Sequence, residues 1–167
     1  PVIDDHNPFI NVVGPVDKVS GLGVSARGYL TGLRLAGFTG LGALCQPLAF
    51  PGRSTLPLEE FPIPPFIADA PINVVHMNGD TVPLILEHGG GHELFERAHN
   101  IAVWYWELPV LRPEWHASLK YFHEFWAPTP FIAETLRSAT SKPVTLLPPY
   151  LGHLKTMASR QDTVAEA

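Results

Sequence analysis

The stretch INVVHMNGDTVP, residues 72–83, ends an apolar run with three polar side chains at alternate positions: His76, Asn78 and Asp80. Within a short space these side chains offer the donors and acceptors that could hydrogen-bond the hydroxyl groups of a sugar or polyol. Ligands of open α/β sheets bind outside the carboxyl ends of the strands, where these residues are expected. The alternative is a turn without further function, in which Asn-Gly-Asp reverses the chain and Asp80 caps the next helix.

A second group of candidate residues lies in the stretch NIAVWYWELP. Trp104, Tyr105 and Trp106 could stack on a sugar ring, and Glu107 is the only carboxylate expected at the end of that strand. In the alternative interpretation the rings belong to the core and Glu107 makes a helix or loop contact. Alternation along a strand sends Trp104 and Trp106 to one face and Tyr105 to the other, so at least one ring is expected to be buried.

A third candidate is the glycine-rich stretch SGLGVSARGYL, which follows the apolar run FINVVG. A strand that runs into a glycine-rich turn and a helix can present backbone N–H groups to a phosphate. Gly21, Gly23 and Ala26 match the spacing of the dinucleotide fingerprint, but the next predicted strand ends at Cys45 and Gln46, without the acidic residue that binds the ribose of NAD. The sequence therefore favours a loop that meets a ligand lying between two domains.

Short apolar stretches alternate with helical patterns along the chain, which predicts the elements that must position these residues. The predicted strands are Ile10–Val13, Leu41–Gln46, Ile72–His76, Ile101–Trp106, Glu124–Ala127 and Val144–Leu147. The alternation predicts an α/β fold, Rossmann-like and doubly wound, with a mainly parallel sheet and helices on both faces.

Three helical patterns lie between these strands. The first spans 22–36, where Gly28 and Gly32 could allow close packing of the helix on the sheet. The second is an apolar stripe of Trp115, Leu119 and Phe122, which predicts a helix behind Pro113. The third begins at Thr129 and Pro130, an N-cap followed by proline at the first helical position.

Composition limits the class of protein. The chain has 167 residues and a net charge of −5, and its 11 Lys and Arg are scattered, which excludes a nucleic-acid footprint. The single Cys45 fits a reducing compartment, and with no signal peptide and no membrane-spanning run the expected location is cytoplasmic. We expect one domain over 1–151, with a proline-rich loop at 47–71, and a linker or disordered tail over 152–167.

Five segments, taken together and in order, resemble the N-terminal half of the family 4 glycosyltransferases of the GT-B type. They are NVVG…SGLGVSARGYLTGLRLAGF, INVVHMNGDTVP, NIAVWYWELP, EFWAPTPFIAETL and KPVTLLPPYL, and they cover roughly residues 10–151. The similarity is to the branch with an N-x-x-H-x-N-x-D motif and a W-E-L/F-P motif. Family members usually have serine in place of Thr129, a basic residue in place of Pro130 and histidine in place of Pro149.

The resemblance implies a retaining transferase that moves a sugar from a nucleotide-sugar donor to a carbohydrate or other hydroxyl acceptor, with no metal and no further cofactor. In that fold two Rossmann-like domains face each other across a cleft. The N-terminal domain, which this chain resembles, mainly binds the acceptor and closes its first glycine loop over the donor. The chain alone is therefore expected to be inactive without a C-terminal donor domain. No transmembrane segment or nucleic-acid partner is expected, whereas peripheral membrane contact is compatible with the family.

The same resemblance assigns expected roles to individual residues. Glu107 is the candidate catalytic residue, and it could either orient the acceptor hydroxyl or stabilise positive charge at the anomeric carbon. Trp106 and Glu107 fall where many relatives carry a histidine near the reacting sugar. The expected substrate-binding residues are Gly21, Gly23, His76, Asn78, Asp80, Trp106 and Thr129.

Two other classes of function remain open from the sequence. One is a hydrolase with a metal held by His88 and His92 of EHGGGHE, since histidines four apart can share one helical face. The three glycines between them disfavour a helix there, and no third ligand is fixed. The other is a non-catalytic carbohydrate- or nucleotide-binding α/β module, because the donor-binding half is not expected within this chain.

Overall fold

A single parallel sheet forms the centre of the computed structural model, which describes residues 7–45, 54–57, 60–87 and 91–152. Its six strands run in the order β2-β1-β3-β4-β5-β6, and all the pairings between neighbours are parallel. The strands are β1 (Ile10–Gly14), β2 (Leu41–Cys45), β3 (Ile72–Val75), β4 (His99–Val103), β5 (Glu124–Ala127) and β6 (Val144–Leu146).

Helices cover both faces of this sheet, as the alternation of buried residues requires. Ile10 and Val12 of β1 pack with Leu30 in one apolar cluster, whereas Val13 packs on the opposite face in a cluster that includes Leu136. The helices are α1 (Gly21–Leu35), α2 (Val82–Glu87), α3 (Gly91–Glu96), α4 (Pro113–His116) and α5 (Pro130–Ala139). The predicted doubly wound α/β fold is confirmed. None of the helices in the described part of the chain is long and apolar enough to cross a membrane.

The fourth strand lies two to three residues earlier in the chain than the sequence predicted. Its predicted range was 101–106, but β4 ends at Val103 because the backbone then leaves the sheet. The N–H of Tyr105 donates to the side-chain oxygen of Asn78 at 2.8 Å instead of to a neighbouring strand. Trp104, Tyr105 and Trp106 therefore lie in the loop that follows the strand, where Trp104 is buried in the core, as expected for at least one ring, and Tyr105 and Trp106 line a surface cleft.

The predicted helix through Trp115, Leu119 and Phe122 is wrong as one continuous element. The structure has the single turn of α4 and then a 3-10 turn at Leu119–Tyr121, after which Phe122 is extended. Trp115 and Phe122 are nevertheless buried against the ring of Trp104, with ring centroids 5.5 and 5.6 Å away. The apolar spacing thus identified residues of the core, although they lie in two short turns and an extended residue rather than in one helix.

The close approach at Gly28 is to the chain after β6 and not to the sheet. A Cβ atom on Gly28 would lie 2.6 Å from the carbonyl oxygen of Tyr150 and 3.0 Å from the Cβ of Pro149. The hydroxyl of Tyr29 donates to the carbonyl oxygen of Leu147 at 2.6 Å, which holds the same segment against α1. The small residue at Gly28 therefore makes room for the returning C-terminal backbone.

A row of buried asparagines crosses the middle of the sheet. Asn11 donates to Asn73 at 3.3 Å, and Asn73 donates to Asn100 at 3.2 Å. Asn11 also exchanges two hydrogen bonds with the backbone of Ile67, and Asn73 donates to the carbonyl oxygen of Leu94. Because buried amides need partners, this row fixes the register of three strands and attaches the end of the proline-rich segment to them.

Only parts of the predicted proline-rich loop and tail can be described. The segments 54–57 and 60–71 contain no helix and no strand of the sheet, in keeping with an extended excursion. Residues 47–53 and 58–59 of that loop lie outside the described residues, as do residues 153–167 of the predicted tail.

Candidate functional site

All the candidate site residues lie at one edge of the sheet, where the parallel strands end. The chain runs from β1 outward to β2 and then back to β3 on the other side of β1. Such a reversal of strand order opens a crevice at the carboxyl ends, and it is where ligands of open α/β sheets bind. The loops at this edge carry Gly21 and Gly23 after β1, His76, Asn78 and Asp80 after β3, Trp106 and Glu107 after β4, and Thr129 after β5.

His76 is buried and forms part of a hydrogen-bonded chain that the sequence did not predict. Its Nε2 lies 2.9 Å from the Oγ of Ser25, and that Oγ lies 2.6 Å from the hydroxyl oxygen of Tyr105. The rings of Tyr105 and Tyr29 flank the imidazole, with centroids 5.5 and 5.9 Å away. These hydrogen bonds join β3, α1 and the loop after β4 at a single point.

The imidazole of His76 is neutral near physiological pH. Burial lowers its pKa from the ordinary 6.5 to about 4, because the charged form would lose its hydration. Its Nδ1 is buried and has no hydrogen-bond partner among the described residues. With 1% of its surface exposed, His76 does not reach a ligand directly. The structure therefore gives it a positioning role toward Ser25 and Tyr105.

Asn78 and Asp80 differ in how much they can contribute to binding. The side-chain oxygen of Asn78 accepts the N–H of Tyr105, and its carbonyl oxygen accepts the hydroxyl of Thr81 at 2.7 Å. These contacts match the turn interpretation for Asn78, which shapes the loop by its own hydrogen bonds. Asp80 is exposed in the same turn, whereas Asn78 is half-buried, so Asp80 is the most exposed of the three residues.

The two glycines at the start of α1 have different roles. A Cβ atom on Gly23 would lie 2.1 Å from the carbonyl oxygen of Lys18, so the loop can fold against the helix only because Gly23 lacks one. A Cβ atom on Gly21 would meet nothing within 4 Å. Ser20 caps the helix by accepting the N–H of Gly23 at 3.1 Å. By the geometry of a helix start, the amide of Gly21 has no intrahelical acceptor and remains available to a ligand.

The two cations near this loop are occupied by the protein itself. One guanidinium nitrogen of Arg27 donates to the carbonyl oxygens of Val16 and Lys18 at 2.8 and 2.9 Å, and burial lowers the pKa of Arg27 against the opposing effect of Asp17. The ammonium group of Lys18 lies 2.8 Å from a carboxylate oxygen of Asp17. These groups hold the loop in shape, which leaves neither of them free to grip a diphosphate.

A short piece of the proline-rich segment also holds this loop. The N–H of Val19 donates to the carbonyl oxygen of Ser54, and the N–H of Leu56 donates to that of Asp17, both at 2.8 Å. Lys18 and Thr55 form an isolated antiparallel bridge between these two bonds. The backbone at 54–57 therefore runs beside the loop between β1 and α1 and fixes it from outside.

The loops after β4 and β5 enclose a shallow cleft of about 490 Å³. Its lining consists of Tyr105, Trp106, Glu107, Thr129, Phe131 and Ile132. The indole N–H of Trp106 donates to the carbonyl oxygen of Val110 at 2.8 Å, and the hydroxyl of Thr129 accepts the N–H of Ile132 at the start of α5. Glu107 is exposed and its carboxylate makes no hydrogen bond or ion pair within the described chain.

The structure therefore divides the candidate residues into three groups. Trp106, Glu107 and Thr129 line one cleft, and the predicted N-cap role of Thr129 is confirmed. His76 and Asn78 support that cleft from behind through Tyr105, and Gly23 is buried against the loop before α1, so that these three shape the site from within. Gly21 and Asp80 are exposed on neighbouring loops. Ser25 was missed because nothing in its local sequence distinguishes it from a surface helix residue.

The described residues contain no arrangement that would support the alternative of a metal-dependent hydrolase. No group of three or more His, Cys, Asp or Glu side chains is placed to hold a metal ion in the part of the chain that the structure describes. His92 lies in α3, and His88 lies outside the described residues.

Comparisons with known proteins found no relative of this chain. No protein-family model, no curated protein and no solved structure matches this chain significantly. The resemblance of the five segments to family 4 glycosyltransferases thus has no support from similarity along the whole chain.

Proposed function

We propose that this chain is the acceptor-side domain of a retaining glycosyltransferase that uses a nucleotide-sugar donor. The observation that carries the proposal is the cleft at the strand ends, where the unpaired carboxylate of Glu107 lies beside Trp106 and Thr129. The order of the five segments that resemble family 4 glycosyltransferases supports the same reading. The strand order opens a crevice between the loops after β1 and β3, next to the loop after β4 that carries Glu107, which is compatible with a donor beside this cleft.

In the proposed reaction, different loops at this edge bind the acceptor and the donor. The bond between the anomeric carbon and the donor diphosphate breaks, a bond to the acceptor oxygen forms, and the proton of the acceptor hydroxyl passes to an oxygen of the departing diphosphate. Glu107 accepts a hydrogen bond from that hydroxyl and so holds its oxygen toward the donor. The free amide at Gly21 and the positive end of α1 face the donor phosphates.

The proposal includes a second domain because the residues that the structure describes provide no free cation at the glycine loop. Arg27 and Lys18 are committed to loop carbonyls and to Asp17. A diphosphate leaving group carries charge that donor sites neutralise with Arg, Lys or a metal ion. We therefore place the diphosphate-binding side chains in a C-terminal domain that faces the edge described above.

The test is a transfer assay on the complete gene product that contains this chain, run in parallel with residues 1–167 alone. The complete protein is expected to transfer a sugar from one member of a nucleotide-sugar panel, and NMR of the product is expected to show the anomeric configuration of the donor. Calorimetry of residues 1–167 is expected to show no micromolar donor binding and no transfer. Donor binding without turnover by the complete protein would instead favour a non-catalytic nucleotide-binding module.

A further inference from the structure

We infer that the cleft at Glu107 selects an amphiphile, a molecule with one hydroxyl group on an apolar aromatic or alkyl body. The inference rests on the proposed function only in calling this molecule the acceptor of the transfer. Binding at the cleft and transfer to the bound molecule are separate events, and they can be measured separately.

The first support is that the cleft offers a ligand few uncommitted polar groups, namely the carboxylate of Glu107 and the hydroxyl proton of Thr129. The indole nitrogen of Trp106 is bonded to Val110, the hydroxyl of Thr129 caps α5, and the hydroxyl of Tyr105 is bonded to Ser25. Phe131 and Ile132 contribute only apolar surface to the lining. Glu107 is left as a carboxylate, which accepts hydrogen bonds and donates none.

The second support is the apolar surface that continues beyond the lining. Leu108 and Val110 in the loop after β4 and Phe131 in the first turn of α5 are 56%, 72% and 45% exposed. Leu108 is held against α5, because its carbonyl oxygen accepts the hydroxyl of Thr135 at 3.3 Å. Val110 is held against the cleft by its bond to Trp106. An apolar body longer than the cleft would therefore remain in contact with protein.

A polyhydroxylated ligand fits this surface poorly. A site for a free sugar needs several convergent polar groups to replace the water around its hydroxyls, and each hydroxyl buried without a partner costs free energy. The two oxygens of Glu107 can accept hydrogen bonds from neighbouring hydroxyls and the Thr129 hydroxyl can donate one, which still leaves most of the hydroxyls of a free sugar without a side-chain partner in this cleft.

A cationic ligand is disfavoured by a resident cation. The guanidinium of Arg112 lies over the ring of Trp106, 5.6 Å from its centroid, and already occupies the favourable position for a positive charge. A second cation beside Glu107 would approach Arg112 as a like charge. A neutral hydroxyl donor does not incur that repulsion.

The test is an NMR titration of residues 1–167 with four small probes that share or lack the proposed features. The probes are 2-phenylethanol, its methyl ether, protonated 2-phenylethylamine and glucose. The expected result is that 2-phenylethanol shifts the indole N–H signal of Trp106 and the amide signal of Glu107 at the lowest concentration. The ether keeps the apolar body without the donor, and we expect it to bind at least about threefold more weakly.

Variants separate the two proposed features. Glu107→Met is expected to bring 2-phenylethanol and its ether to equal affinity, and Phe131→Ser is expected to weaken both. Leu35→Ser is the matched control for Phe131, because Leu35 is 66% exposed near the end of α1 and outside the cleft. Glu134→Met is the control for Glu107, since Glu134 is an exposed carboxylate of α5 that does not line the cleft.

Tighter binding of glucose or of the amine than of 2-phenylethanol would overturn the inference, as would equal binding of the alcohol and the ether to the unmodified chain. Binding of 2-phenylethanol at the cleft, with no transfer by the complete protein, would reject the transferase and leave the amphiphile site standing. Transfer to a free sugar alone would reject the amphiphile and leave the transferase standing.

Discussion

His76 Nε2 and Ser25 Oγ form a buried hydrogen bond of 2.9 Å that joins the end of β3 to the first turns of α1. Because Ser25 also contacts the hydroxyl of Tyr105, the loop that carries Glu107 is tied to the same point. A displacement of α1 would therefore be transmitted to the cleft through Tyr105. The helix that follows the candidate donor loop and the loop that carries the candidate acceptor cleft therefore share this buried contact.

Replacement of Ser25 by alanine is expected to destabilise the fold by about 1–3 kcal/mol, because it leaves His76 buried without a hydrogen-bond partner. Urea unfolding followed by circular dichroism measures this free energy. Ser141→Ala is the control, since Ser141 is exposed and is expected to change the free energy by less than about 0.5 kcal/mol. Equal effects of the two substitutions would contradict the proposal that the buried hydrogen bonds of Ser25 stabilise the fold.

Stability is expected to fall as the pH decreases through the window set by His76. The folded protein holds the pKa of His76 at about 4, whereas the unfolded chain has the ordinary 6.5. Between these values the unfolded state binds more protons, so the free energy of unfolding decreases as pH falls from 6.5 to 4 and this loss is complete below pH 4. The whole loss from this group is of the order of 3 kcal/mol.

Urea unfolding at a series of pH values measures this dependence. His76→Gln is expected to flatten the slope between the two pKa values, although it also lowers the stability at neutral pH. His116→Gln is the matched control, because His116 is exposed and its replacement should leave the slope unchanged. Titration of His76 near its ordinary pKa in the folded protein, observed by NMR, would show that it is hydrated and would exclude this mechanism.

The fold was predictable because strands and helices have characteristic patterns of apolar residues within short stretches of sequence. INVV occurs at 10–13 and again at 72–75, and the structure pairs these two segments in exact parallel register. The N-cap at Thr129 was predictable for the same reason, since its signal lies in adjacent residues. The edge that carries the site followed from the parallel sheet, since every polar residue directly after a strand comes to that edge.

The partners within the site were not predictable, because they depend on distant parts of the chain. Ser25 and Tyr105 are 80 residues apart, and Ser25 and His76 are 51 apart. No periodicity connects such positions, so His76 was expected to face a ligand and is instead buried. The same limit applies to Gly23, whose close contact with Lys18 arises from the fold of the loop.

The two glycines of the first loop are expected to respond differently to alanine. Gly23→Ala would place a methyl group 2.1 Å from the carbonyl oxygen of Lys18, so the loop must move and the free energy of unfolding is expected to fall by about 2 kcal/mol or more. Gly21→Ala meets no atom and replaces a poor helix former, so its stability is expected to be equal or slightly higher. Thermal unfolding of the two variants compares them directly, and a Gly21→Ala variant as unstable as Gly23→Ala would show that the loop has a different conformation.

Replacement of Glu107 by glutamine is expected to separate function from stability. In the complete protein, Glu107→Gln should lower kcat by about tenfold or more, because an amide holds the acceptor hydroxyl less strongly than a carboxylate and cannot stabilise positive charge. The free energy of unfolding should change by less than about 0.5 kcal/mol, since the side chain is exposed and makes no contact that the fold requires. The measurements are steady-state transfer kinetics and urea unfolding on the same preparation.

Glu134→Gln serves as the control for this comparison. It removes the same charge from α5, the helix whose first turn borders the cleft, but Glu134 does not line the cleft. We expect wild-type kcat for this variant, which shows whether a general loss of negative charge affects transfer. If Glu107→Gln retains wild-type kcat while both variants are stable, the carboxylate has no part in the reaction. The exposed position of Glu107 would then reflect only the shape of the loop after β4.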